Sequence, residues 1–86
     1  MKYGYTLLYV GDVKTTMDFY EAAFGLEKAF LHESGEYGEM GTGETKLGFV
    51  GHQTASSHGF EYAPVKANQP APGFELGFLS SNVESD

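Results

Sequence analysis

The chain has 86 residues, with 12 acids against five lysines, no arginine and no cysteine, for a net charge of −7. That length holds one small domain, which on folding buries roughly 63% of the surface its unfolded chain exposes. The composition excludes a disulfide framework, a thiolate metal site and a cysteine nucleophile, and an arginine-free acidic chain is a poor partner for nucleic acid. Apolar runs of five residues or fewer give no membrane span, and Lys2 followed by Tyr3-Gly4-Tyr5 does not resemble a secretory signal. The expected setting is the cytoplasm.

In chain order, residues 3–10 (Y-G-Y-T-L-L-Y-V) are rich in aromatic and β-favouring types, which predicts a strand. Gly11-Asp12 breaks it, and Asp12 is a good N-cap. Val13, Met17, Tyr20 and Phe24 then recur at helical spacing with Ala23 beside them, while Lys14, Thr15, Asp18 and Glu21 fall on other faces. Gly25 supplies the left-handed residue that ends such a helix, and Leu26 folds back onto it. Three strands are expected next, at residues 27–33, 37–42 and 45–50. The turns Ser34-Gly35 and Gly43-Glu44 divide them, giving an antiparallel meander. Residues 51–73 carry Pro64, Pro70 and Pro72 among small polar residues and read as a long connection, with one helical turn at 53–57. Residues 74–79 read as a fifth strand, with Phe74, Leu76 and Phe78 on one side.

The fold class is therefore α+β, in the order β-α-β-β-β, linker, β. Residues 1–51 form a first βαβββ module, 52–73 a linker and 74–86 the first strand of an incomplete second module. The ending echoes the beginning: T-L-L-Y-V-G-D-V at residues 6–13 lines up with L-G-F-L-S-S-N-V at 76–83, and Asn82 takes the place of Asp12. Eight positions of low identity make a weak repeat on their own.

Y-V-G-D-V at residues 9–13, D-F-Y-E-A-A-F-G-L-E at 18–27, Y-G-E-M-G-T-G-E-T-K-L-G-F-V at 37–50 and G-F-E-L-G-F-L-S-S-N-V at 73–83 carry a family likeness. The chain resembles the vicinal oxygen chelate superfamily, which includes glyoxalase, extradiol dioxygenases and the bleomycin and fosfomycin resistance proteins. The resemblance spans nearly the whole chain. It implies paired βαβββ modules whose sheets curl around a small-molecule cup, and it does not imply one reaction. With one module and the opening of another, the cup is expected to be completed by a further C-terminal portion or by a second copy in a homodimer. If Phe74, Leu76 and Phe78 face a helix, no second helix covers them, and exposing each forfeits on the order of 1.5 to 3 kcal/mol, which favours an assembly over a lone monomer.

The resemblance also implies where metal ligands would stand in metal-using members: Tyr5 on the first strand, Gly48 on the fourth and Glu75 on the first strand of the second module. A phenol is a poor ligand for a divalent metal at neutral pH, glycine offers no side chain, and Glu75 alone is a hard oxygen donor. The usual metal site and any other cofactor are therefore not expected, and a divalent metal held through Glu75 is the alternative.

Read for chemistry, Glu75 is a candidate general base or amine-binding carboxylate, or else a solvated glutamate. Tyr3, Tyr5, Leu7 and Tyr9 alternate, so one strand face presents three phenols. They suit stacking on a planar or cationic ligand, or ordinary half-buried packing. Glu39 points into the cup in one reading. In the other it joins Glu33, Glu36 and Glu44 on a solvated face. His52 and His58, six apart, match no common zinc spacing, and His32, sharing a parity with Phe30 and Lys28, reads as structural or surface. No Ser-His-Asp set, phosphate loop or paired-carboxylate spacing stands out, and without arginine no bidentate clamp exists for glutathione's carboxylates. Two functions follow: a metal-independent binding protein for a small planar or cationic molecule, with Tyr5, Leu7, Tyr9, Glu39 and Gly48 as its ligand surface, or a metal-dependent lyase or dioxygenase using Glu75. A fragment without a function of its own is the bland alternative.

Overall fold

A computed structural model describes residues 1–57, 61–70 and 72–80. Its elements run β1 (Tyr5–Val10), α1 (Val13–Phe24), β2 (Glu27–Leu31), β3 (Tyr37–Thr42), β4 (Thr45–Gly51) and α2 (His52–Ser56). The sheet order is β1-β4-β3-β2, with β1 parallel to β4 and the other two pairs antiparallel. The expected α+β architecture and its meander are thus present, and α1 is the crossover that makes the parallel pair possible.

The ends of α1 follow from its sequence. The Asp12 carboxylate accepts from the Thr15 amide at 3.0 Å, and Gly25 closes the helix at φ 68° with its own amide on the Glu21 carbonyl. Between these caps the helix lays Val13 and Met17 on the sheet, where they meet Met40, Leu47 and Phe49 in the buried core. Leu8, Val10, Tyr20 and Leu26 pack around that core. Close approach of helix to sheet is possible because Gly38 has no side chain: a Cβ there would run into the Met17 sulfur and lie 3.2 Å from a Val13 methyl.

Five expectations need correction. The first strand begins at Tyr5 rather than Tyr3, and the second ends at Leu31 rather than residue 33. There His32 turns the chain, its Nδ1 bonded to the Ser34 amide and hydroxyl, and Gly35 takes φ 76°. The parity assigned to Lys28, Phe30 and His32 also fails. A bulge between Lys28 and Phe30 places Lys28 opposite Met40 on the helix side, where its ammonium meets Asp18 and Glu21. Phe30 falls opposite Glu39 on the other face, because one extra residue reverses the alternation. The helical turn occupies His52–Ser56, one residue earlier than expected.

Most consequentially, residues 74–80 form no strand. A period-2 apolar pattern specifies a strand only when a ladder partner accepts it, and Gly73 and Gly77 weaken this one. Phe78 packs instead on α1, its ring 4.8 Å from Phe24 and 6.4 Å from Tyr20. The first helix therefore covers part of what a second helix was expected to cover, while Phe74, Leu76 and Leu79 stay exposed. Of the weak repeat, residues 81–83 lie outside the described residues.

Candidate functional site

With Met40, Leu47 and Phe49 turned to the helix, alternation turns their neighbours to the opposite, open face. The register sets Leu7, Gly48 and Glu39 side by side across β1, β4 and β3, with Tyr5 opposite Lys46 one pleat away and Tyr9, Val50 and Tyr37 on the other side. Gly48 stands at the centre of this row, and its neighbours close over it. A Cβ added there would lie 2.6 Å from a Leu7 methyl and 3.6 Å from the Tyr37 hydroxyl, so both side chains lean over the glycine.

Beside the glycine stands a polar cluster. The Tyr37 hydroxyl donates to Glu39 Oε2 at 2.6 Å, and the Lys46 ammonium lies 3.1 Å from Glu39 Oε1. The phenol's bond, and then Lys46, hold the Glu39 carboxyl below its ordinary value. Burial pushes the Tyr37 phenol up to about 12, reinforced by its bond to Glu39 and by the nearby charge of Tyr5. At neutral pH the cluster thus contains an ionised carboxylate with one donor on each oxygen and a phenol that keeps its proton.

The face is roofed at its Tyr9 end by the connection. Tyr62 sits edge-on to Tyr9 at 4.8 Å, stacks on His52 at 5.8 Å, and its hydroxyl lies 2.9 Å from His52 Nδ1. His52 is therefore engaged by Tyr62, and His58 lies outside the described residues. Glu36 is likewise no solvated charge. Its carboxylate accepts from the Thr54 amide and hydroxyl at 3.3 and 3.1 Å and ties α2 to the β2–β3 turn.

Tyr5, Leu7, Glu39 and Gly48 are thus gathered on one face, with Tyr9 at its roofed end. Glu75 stands apart, exposed on the irregular run outside the sheet. Tyr37 and Lys46 were missed. The signal available was the pairing of Y-x-E in one strand with K-x-G in the next, which alternation and a hairpin register bring together. The implied metal positions do not fit a divalent ion. Tyr5 supplies a phenol, Leu7 and Tyr37 lean over the donorless Gly48, and among the described residues no group of three or more His, Cys, Asp or Glu gathers closely enough to hold one.

A four-stranded sheet of order β1-β4-β3-β2 backed by one helix is the architecture of a glyoxalase-type module. The family model of the Glyoxalase/Bleomycin resistance protein/Dioxygenase superfamily matches residues 2–84, and the chain belongs to that superfamily. Among solved structures it is similar to a lactoylglutathione lyase from Agrobacterium tumefaciens, at 27% identity and a TM-score of 0.57. That match covers 83% of this chain and 47% of the lyase, so the chain spans about half of its structural relative. No curated protein matches it. No helix among the described residues is long and apolar enough to cross a membrane.

Proposed function

We propose that the protein binds a small planar or cationic molecule on the open face of its sheet, without the usual metal site of its superfamily. The observation that carries this reading is the aromatic and acidic face around Gly48. The place where a strand-borne donor would stand holds no side chain, and phenols, a leucine and an ionised glutamate surround it. Phenol faces attract cations and stack on flat rings, and the net charge of −7 adds long-range attraction for a positive ligand. Tyr5, Leu7, Tyr9, Glu39 and Gly48 are the ligand-binding residues in this proposal. A second copy of the chain completes the cup, with residues 1–51 as the module, 52–73 as the linker and 74–86 as the opening of the second module. The setting is the cytoplasm.

The test is calorimetric titration with a panel of flat compounds matched in shape and differing in charge, alongside native mass spectrometry. Saturable binding of the cationic members by a metal-free dimer is expected. No binding of any member, or tightest binding of the anionic ones, defeats the reading. The lactoylglutathione lyase likeness favours a second reading, a metal-dependent lyase or dioxygenase in which Glu75 is a ligand or base. One divalent metal per cup, lost together with activity in Glu75→Gln, would establish it.

A further inference from the structure

Five lysines balance 12 acids in this chain, and one of them, Lys46, is placed on the open face with its ammonium 3.1 Å from Glu39 Oε1. Glu39 is the better anchored partner. Its side chain is 20% exposed and its second oxygen is held by the Tyr37 hydroxyl at 2.6 Å, whereas the Lys46 side chain is 57% exposed. An exposed ammonium on a four-carbon stem exchanges readily with water, and such a pair gains little over solvation. The carboxylate stays when the lysine leaves, because Tyr37 keeps its grip.

We infer that Glu39 and Tyr37 build a subsite for the cationic nitrogen of a ligand, and that Lys46 is a tethered occupant which the ligand must displace. This deepens the binding function proposed above and rests on it. A ligand ammonium on Oε1 takes the position Lys46 vacates, with its hydrocarbon part lying along the open face over Leu7. Tyr37 acts here as a positioning residue: it fixes the rotamer of Glu39 and keeps it ionised. The titratable groups facing Glu39 are Tyr37 and Lys46, with Tyr5 next to Tyr37. The tethered lysine also attracts anions less than an unpaired lysine would, since its charge is already engaged.

The experiment titrates the full chain with tryptamine, and with indole-3-propionate as its anionic counterpart. Removing the competitor in Lys46→Gln is expected to tighten tryptamine binding about two- to fivefold, the worth of an exposed ion pair. Glu39→Gln, which keeps the shape, should weaken it about tenfold. In Tyr37→Phe, which frees the Glu39 rotamer, neutral-pH affinity should fall about two- to fivefold, and the loss of binding on acidification moves to higher pH, a shift that a purely structural role would not produce. A carbon-13 titration of the Glu39 carboxyl reads the same displacement without any ligand. Unchanged or weaker tryptamine binding in Lys46→Gln overturns the tethered-occupant role. Tryptamine binding that survives Glu39→Gln overturns the subsite while leaving an open-face binding function standing. Failure of every variant to bind tryptamine also refutes the subsite, and the wider panel then decides the function separately.

Discussion

Gly38 and Gly48 are both too crowded for a side chain, yet the crowding lies on opposite faces of the sheet and has opposite consequences. At Gly38 the obstacles are Met17 and Val13, both fully buried, so Gly38→Ala forces apart a helix–sheet contact that has no slack. A cost of about 1 to 3 kcal/mol in urea denaturation is expected. At Gly48 the nearest obstacle is a Leu7 methyl on the open face, which rotates away. Gly48→Ala should therefore cost under about 1 kcal/mol while displacing Leu7 and weakening ligand binding. Comparable destabilisation at both positions would mean that Leu7 is held as firmly as the core. Glu39 and Tyr37 set the pH limits of the same face. The depressed Glu39 contributes stability that is present above the ordinary glutamate range and lost as pH falls through its lowered value. Tyr37, raised to about 12, retains its proton where an unfolded tyrosine has lost it, so stability falls as pH rises from about 10 to about 12. Glu39→Gln should flatten the acid limb of a denaturation profile and Tyr37→Phe the alkaline one. Wild-type-like limbs in both variants would show that other groups set them.

At the scale of elements, the helix is specified twice, at its caps and along its face. Asp12→Ala removes the acceptor for the Thr15 amide and should cost about 1 kcal/mol, and Gly25→Ala should cost a similar amount because residue 25 sits at φ 68°. Thermal or urea midpoints of the two single variants check this. A variant that unfolds like wild type would mean the helix end frays without consequence. These signals are local, which is why α1, both of its caps and the two hairpin turns of the meander are legible in the sequence. What is not legible is whatever a distant partner decides. The bulge at β2 depends on how Lys28 reaches Asp18 and Glu21 while Phe30 faces Tyr37, and the strand's own alternation carries no trace of it. Glu36 reads as one more surface acid until the fold brings Thr54, 18 residues on, to its carboxylate. The site divides the same way. Tyr5, Leu7 and Tyr9 follow from the alternation of one strand, but Tyr37 and Lys46 join Glu39 only through a register across two strands.

For the whole molecule, the distribution of buried surface separates a self-supporting module from what is appended to it. Val13, Met17, Met40, Leu47 and Phe49 all lie within the βαβββ unit, and the connection adds to it through Ala55, Glu36 to Thr54, and Tyr62 on Tyr9. Residues 74–80 touch the unit through Phe78 on Phe24 and Tyr20, with Phe78 still 39% exposed. Truncating a ring that remains over one-third in water forfeits less transfer energy than truncating one with none. Phe49→Ala, at a fully buried position, should therefore cost about 3 to 5 kcal/mol, enough to unfold much of a small domain, whereas Phe78→Ala should cost under about 1.5 kcal/mol. Chymotrypsin should expose the same division. Cleavage at Phe74 and Leu76 is expected to accelerate in Phe78→Ala while the sheet remains intact. A large loss of global stability in Phe78→Ala would instead place the C-terminal run inside the cooperative core. It would then act as a structural part of the fold, and its apolar residues would no longer be surface available to a second module.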